Sequence, residues 1–461
     1  MRELSDLSLW HGTMSDDEWG PARAPLPGNE QVDVAIVGGG YTGLWTAYYL
    51  LRRDPKLRVA ILEATAVGFG ASGRNGGWCS AILPMGLDEM ALKSSRDGAI
   101  RMQTAMHETV REVGRVVNAE GIDCHFTQGG YLSLSRSDVQ LQRESDHTTN
   151  LQSYGFSDDD YRMLSRAEAL KRCGATGVVG ASFTPHCAVI HPARLARGLA
   201  RVVERAGATI YEHTRATSIK PHSVRTEHGT VTADVVVRAT EAFTPELRGM
   251  RRAVAPIYSL MVATEPLPKS FWDEAGLHER STFNDGRHMI IYGQRTADDR
   301  FAFGGRGARY HWGSKIQPEY DRNERVHKLI HTTLRELFPA IGDAQITHRW
   351  GGAVAASRDW WCHASFDRGT GLASAGGYLG DGVSTTNLSG RTLADLITGI
   401  ESDLTTLPWV GHQSRRWEPE PLRFIGINTI VRLPVGADRH EERKGKRSRW
   451  REAILNKLTG H

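Results

Sequence analysis

Hydrophobic positions along this chain switch between two periods, and each switch marks an element. Val32, Val34, Ala35, Ile36 and Val37 make a short apolar run that predicts a strand, and 58–62 repeats it. Residues 44–51, between them, are apolar at helical spacing. Met90, Leu92, Ile100, Met102, Met106, Val110, Val113, Val116 and Val117 follow a 3.6-residue rhythm over about 88–120, a helix whose methionines read as core packing. A turn at Gly129 and Gly130 leads into a strand over 131–134, then a polar helical region reaches 172. Pro192 suits the first turn of a helix running to 206. Strands are predicted over 208–211, 224–228 and 231–240, the last a β-branched run fitted to a buried strand that ends at a ligand near Thr240. From 251 to 350 strands and turns dominate, with one helix over 322–337 closed by Pro339. A glycine-rich loop over 375–387 then opens a helix over 388–400.

This order predicts an α/β protein with an α+β second domain. The first domain is discontinuous (30–87, 165–250 and 350–461) and wraps a second one (88–164 and 251–349), with a lead-in over 1–29. No internal repeat or low-complexity segment stands out.

The turn after the first strand carries the chemistry. Gly38, Gly39, Gly40, Tyr41, Thr42 and Gly43 form GxGxxG between strand and helix. Gly38 allows the tight turn, Gly40 lets a pyrophosphate touch the backbone, and Gly43 lets the helix approach the strand. The helix N-terminus then offers free N–H groups and a positive dipole end. Glu63, 20 residues past Gly43, ends the second strand where an acid accepts hydrogen bonds from a ribose. Strand, turn, helix, strand and acid in register predict a bound dinucleotide. Two further glycine loops favour a flat cofactor: 68–77, with Arg74 and Asn75 as donors, and 375–387, which aims a helix N-terminus at a group that gains negative charge.

Composition narrows the classes. Hydrophobic residues make up 40 % and charged residues 24 % of 461, enough for two or three domains. A net charge of +4 is too mild to argue for nucleic acid, and the basic run 439–451 reads as a solvated tail. The five cysteines (Cys79, Cys124, Cys173, Cys187, Cys362) lack ligand spacing, so neither a metal site nor a disulfide framework is expected. The acidic start without an apolar core argues against a signal peptide, and no uncharged apolar stretch nears the roughly 20 residues a membrane helix needs. A cytoplasmic location is the expectation.

The motifs resemble the D-amino-acid-oxidase-like superfamily of FAD-dependent amine oxidoreductases, and within it a γ-glutamylputrescine-oxidase-like branch. The likeness rests on Leu9-Trp10, the 38–43 fingerprint, the GASGRNGG stretch over 70–77 and IHPARL over 190–195. ATEPL over 263–267, FGGR over 303–306, HRWGG over 348–352, the 375–390 loop and WEPEPL over 417–422 extend it in order along nearly the whole chain. It implies a Rossmann-like FAD-binding domain of the glutathione-reductase type 2 with a mixed, largely antiparallel substrate domain. It also implies hydride transfer from a carbon bearing nitrogen to the flavin. The imine formed is hydrolysed, and O2 or another acceptor reoxidises the flavin. The residues then expected around non-covalent FAD are Gly38, Gly40, Tyr41, Thr42, Gly43, Glu63, Ala64, Gly70, Ala71, Ser72, Arg74, Asn75, Gly76, Gly77, Thr240, Gly377, Gly380, Asp381, Gly382, Val383 and Ser384. Tyr258, Tyr292, Arg309, Tyr310, Trp350 and Trp360, with Trp312, are expected near the substrate.

Departures from the resemblance are equally informative. Relatives that oxidise α-amino acids carry Arg-Pro-x-Thr-x-Asp, whose arginine clamps the substrate carboxylate. Aligning Ser357, Arg358 and Asp359 with Thr-x-Asp puts Val354 and Ala355 where Arg-Pro would stand. Valine cannot make that bidentate pair, so an amine other than a simple D-amino acid is expected. Arg306 falls at or beside the lysine that promotes reaction with oxygen in sarcosine-oxidase-like members, and is the one candidate catalytic side chain. It can equally anchor an acidic substrate or pair at a strand end. Asp381 replaces a histidine common in relatives. Cys362 lies on the wrong side of Asp359 for a flavin-linked cysteine, and His191 and His311 read as structural. The competing readings are an NAD(P)H-dependent flavin monooxygenase, an S-adenosylmethionine methyltransferase and a non-catalytic flavin-binding module.

Overall fold

The computed structural model describes residues 2–305, 307, 309–448 and 451. Two eight-stranded sheets organise it. In the first, the order is His363–Asp367, Leu372–Gly376, Thr230–Arg238, Glu30–Val37, Val59–Leu62, Thr209–Tyr211, with the Ala216–Lys220 and Ser223–Thr226 hairpin attached to Thr230–Arg238. The central pairs are parallel, with Val34 to Val37 opposite Val59 to Leu62 on one side and Val235 to Arg238 on the other. Strands buried on both faces read as continuous β-branched runs, which is how these three appear in the sequence. Val34, Ile36, Ile61 and Val237 face a core shared with the helices Tyr41–Arg53, Arg96–Ala119, Pro192–Arg205 and Gly382–Thr398. Ala35, Val37, Leu62 and Val236 point the other way, towards Val224 and Ile219 of the hairpin.

The second sheet runs Ile346–Ala356, Ala255–Thr264, Phe301–Gly305, Ile291–Arg295, Thr282–Asn284, Tyr131–Ser135, Gly180–Thr184, Arg162–Ser165. All its pairs are antiparallel except Thr282–Asn284 with Tyr131–Ser135. Leu260, Val262, Phe283, Phe301 and Phe303 pack there against Trp272 and against Ile330 and Leu334 of the helix Glu324–Leu337.

Several expectations are corrected. The strand over 180–184 and residues 350–356 of the strand over 346–356 pair in the second sheet, although 165–250 and 350–461 were assigned to the first domain. The helix Arg96–Ala119, assigned to the second domain, buries Met102, Met106, Val110 and Val113 in the core of the first sheet. The helix expected over 388–400 begins at Gly382, six residues before its expected start. All five cysteines are buried and unpaired. Among the described residues, no helix is long and apolar enough to cross a membrane.

Candidate active site

A cleft opens where the first sheet's strands end. Its empty space, counted out to solvent, is about 1260 Å³. Gly38, at φ +114°, makes the turn; a Cβ there would lie 2.5 Å from Ala239 O. A Cβ on Gly43 would lie 2.1 Å from Gly38 O, so this glycine sets the approach of helix to turn. Two helices, Tyr41–Arg53 and Gly382–Thr398, start at the cleft without a cap from their own N-cap residue, although Tyr41 N–H donates to Ser72 Oγ at 2.9 Å. Such ends leave backbone N–H groups and positive dipole ends for an anion. Tyr378 ties the two together: its hydroxyl lies 3.1 Å from Thr42 Oγ1 and donates to Ser389 Oγ at 3.0 Å.

Glu63 lines the same cleft and accepts from Gly39 N–H (2.8 Å) and Thr65 N–H (2.9 Å). Burial pushes its carboxyl upward in pKa, while those two hydrogen bonds pull it back. The cleft thus brings together an acid suited to ribose hydroxyls and the starts of two helices, one of them beside Gly380. These residues fit FAD: Glu63 for the ribose, Gly40 to Thr42 for the pyrophosphate, Gly380 to Val383 for the pyrimidine side of the ring.

Of the residues singled out for the cofactor, Gly38, Gly40, Tyr41, Thr42, Glu63, Ala64, Gly70, Ala71, Ser72, Asn75, Thr240, Gly380, Gly382 and Val383 line the cleft. Seven stand elsewhere. Gly43 packs within the turn. Arg74 turns away and pairs with Asp321 at 2.7 Å. Gly76 and Gly77 abut Tyr292 and Gln294, so a side chain would collide there. Gly377 lies behind the cleft, against Trp361 O. Asp381 takes the N-cap position without a cap bond, its N–H donating to Tyr378 O at 2.9 Å. Ser384 donates to Ser80 O. Cys362 is buried beside Met85, its Sγ 3.8 Å from the Met85 sulfur.

Arg215, Glu241, Phe243 and Ala353, which no motif announced, also line the cleft, as do Phe69 and Tyr378 from the two further glycine loops and Val354 from the place where Arg-Pro would stand. Glu241, at φ +41°, accepts Tyr378 N–H (3.1 Å), and burial pushes its carboxyl up to about 7. Its place just past the predicted strand end was the one available signal.

A second cavity, of about 2150 Å³ counted out to solvent, shares Val354 with the cleft. Tyr258 and Trp360 line it, as do Ile257, Met289 and Leu379. The helices Leu422–Ile430 and Leu433–Lys444 roof it with Ile427, Val431 and Pro434. Asp438 holds that roof by accepting His288 N–H (2.8 Å) and Met289 N–H (2.9 Å), and Glu441 pairs with Arg143 at 2.9 Å.

The other residues expected at the substrate lie off the cavity wall. Tyr292 sits one hydrogen bond behind it, its hydroxyl 2.8 Å from Ser259 Oγ. Tyr310 is buried and donates to Glu420 (2.8 Å); Trp350 is buried and donates to Arg74 O (2.9 Å). Arg309 is exposed, as is Trp312. Arg306 lies outside the described residues. His191 caps the helix Pro192–Arg205, and His311 stacks on Tyr320 at 3.3 Å.

One cluster was not foreseen. His107, Asp160 and His186 bring their ligand atoms within 4.8 Å of one another. The two imidazoles stack at 3.6 Å with planes 7° apart, and one ion cannot lie in both ring planes. Hydrogen bonds from His186 to Asp160 (2.8 Å) and His107 to Tyr161 (2.6 Å) make it a packed histidine pair.

The comparisons with known proteins agree with this geometry. The family model for FAD-dependent oxidoreductases (DAO) matches residues 33–396. The chain is 31 % identical over 385 residues to gamma-glutamylputrescine oxidoreductase of Escherichia coli (strain K12), covering 80 % of this chain and 85 % of that one. It is 30 % identical over 397 residues to a probable oxidoreductase, OrdL, of Rhizobium meliloti (strain 1021), covering 84 % and 88 %. The crystal structure of glycine oxidase from Geobacillus kaustophilus shares the fold, with a TM-score of 0.69 at 22 % identity over 83 % of this chain and 99 % of that one. With strand, glycine turn, acid and both helix ends converging on one nucleotide-shaped cleft, the chain belongs to the DAO family of FAD-dependent oxidoreductases.

Proposed function

We propose that the protein oxidises a C–N bond of an amine whose substituent extends into the second cavity: a secondary, N-substituted or γ-glutamyl amine rather than a free α-amino acid. Val354 carries this reading. It stands where cleft and cavity meet, at the position where the resemblance puts a carboxylate-clamping arginine. An aliphatic wall there cannot pay for desolvating a carboxylate. The Escherichia coli relative, named for a γ-glutamylated amine, supports the same class.

FAD, when bound, supplies a ring that accepts two electrons and a hydrogen from carbon. The chain's own residues position and shield. Ala353 and Val354 form the wall facing the ring site, and Tyr258 and Trp360 line the adjoining space and offer ring faces to a cation. The substrate carbon gives up hydride and its nitrogen gives up a proton. The resulting imine takes up water and splits into a carbonyl compound and an amine or ammonia. Dioxygen or another acceptor finally removes the two electrons. A neutral amine releases hydride directly, so no side-chain base is assigned.

An amine panel scored by anaerobic bleaching of the flavin tests the reading. N-substituted and γ-glutamyl amines are expected to bleach it fastest; D-alanine as the best substrate would overturn it.

A further inference from the structure

We propose that a second ligand site, for a small oxyanion (a carboxylate or a phosphate), lies behind the cofactor cleft and is built around Arg238. The site follows from strand register. Arg238 stands opposite Ser374, and Ser374 opposite Ser365, so three polar side chains form a row across three neighbouring strands of the first sheet. Their sequence neighbours Val237, Ala373 and Ala364 turn to the opposite face and enter the helix-covered core. The polar row is the floor of a cavity whose empty space, counted out to solvent, is about 1040 Å³. Met250 and Val254 wall it, and the exposed Arg416 stands at its rim.

Arg238 is under-satisfied there. Its NH1 donates to Thr244 Oγ1 at 3.1 Å, and among the described residues that hydroxyl is its one hydrogen-bond acceptor. A guanidinium carries five N–H donors in a fixed fork that matches an oxyanion. Glu241, on the wall between the two spaces, spends Oε1 on Tyr378 N–H and does not take up the fork; its Oε2 is buried without a partner. The hydroxyls of Ser374 and Ser365 lie 3.3 Å apart, and Ser374 lies 3.2 Å from His363 Nε2. His363 is held neutral by burial and by Arg238, its pKa down to about 3, so it hydrogen-bonds without adding charge. The two arginines only donate and the serine hydroxyls can donate as well as accept, a set that favours an oxyanion, with the Glu241 carboxyl, raised by burial to about 7, as the one acidic group on the lining among the described residues. Because Glu241 borders both spaces, an anion beside Arg238 changes the field on the wall of the cofactor cleft, and the coupling is reciprocal.

Titration of the FAD-loaded protein with sodium phosphate and, separately, sodium acetate at constant ionic strength tests the site. Calorimetry and the flavin absorption band are the readouts. Loaded protein is used so that the pyrophosphate site is filled, and binding is read rather than turnover, so the result is independent of the amine chemistry. One saturable site is expected for at least one probe, and the tighter of the two tells phosphate from carboxylate. Arg238→Met should weaken it by roughly tenfold or more, as loss of a charge-assisted hydrogen bond does. Ser374→Asp, which puts an anion in the row, should weaken it similarly and carries the test if Arg238→Met does not fold. Arg58→Ala, at the exposed Asp33 pair, should bind as wild type. Absence of saturable binding of both probes to wild type, or equal affinity in wild type and Ser374→Asp, would overturn the proposal.

Discussion

Replacing Arg74 by methionine separates a structural role from a cofactor role. The arginine sits in the glycine loop that lines the cleft, yet its guanidinium points to the second sheet. It pairs with Asp321 at 2.7 Å, with side-chain exposures of 6 % and 19 %, and donates to Phe69 O at 2.8 Å. Removing one partner of a buried pair costs about 3–5 kcal/mol, mostly because the other charge is left buried. Burial already raises the Asp321 pKa, which lets the orphaned carboxyl take up a proton and places the expected loss near the lower end, about 3 kcal/mol. For 461 residues the unfolding entropy is roughly 1 kcal/mol per kelvin, so Tm should fall by about 3 °C. Scanning fluorimetry on apo and FAD-loaded protein measures it. The drop should be the same in both states, and the double variant Arg74→Met/Asp321→Asn should lose less than the two single losses added. A drop confined to loaded protein, with strict additivity, would mean that Arg74 holds the cofactor and would refute the reasoning.

Three further outcomes are expected. Glu241 holds a proton in the folded protein up to about pH 7, whereas the unfolded chain releases it near 4.5; stability should therefore decline as pH rises through that window, by about 3 kcal/mol, and Glu241→Gln should flatten the Tm profile between pH 5 and 8. An unchanged slope in that variant would rule the assignment out. Val354→Arg should cut kcat/KM for N-substituted amines by roughly tenfold while D-alanine oxidation appears, since a guanidinium reads carboxylates where valine does not; steady-state kinetics on both substrates would show otherwise. Gly43→Ala, whose Cβ would sit 2.1 Å from Gly38 O, should weaken FAD binding by about 100-fold or more, measured by equilibrium dialysis; wild-type affinity would mean that the turn relaxes freely.

What was legible in the sequence was local. Gly38, Gly43 and Glu63 are fixed by spacing within one strand–turn–helix–strand unit, and the structure puts Gly38 and Glu63 on the cleft lining with Gly43 packed within the turn behind them. Glu241 and Ala353 reach the cleft only because distant strands pair, and no window of sequence carries that information, whereas Tyr378 lies within the 375–387 loop and Val354 stood out by the resemblance. Arg74 was visible, but not its direction, because Asp321 lies 247 positions away. The late start expected for the helix Gly382–Thr398 has another cause. Ser384, Thr385, Thr386 and Asn387 are poor helix formers, yet all four are buried in its first turns, where packing overrides propensity. The same limit explains Met102 and Met106: their periodicity reveals a buried face, but not which sheet buries it.

The strand Ile346–Ala356 belongs to the second sheet by its hydrogen bonds, while its far end supplies Ala353 and Val354 to the cofactor cleft. It acts as a ruler. Each residue along it advances about 3.3 Å, and a slip of one would turn Val354 to the opposite side. The position of this stretch of the cleft wall is thereby set by backbone pairing, whereas its character at position 354 is set by a single side chain. On such a scaffold new substrate preferences arise by exchanging one residue in place, with no loop lengthened and no catalytic spacing disturbed.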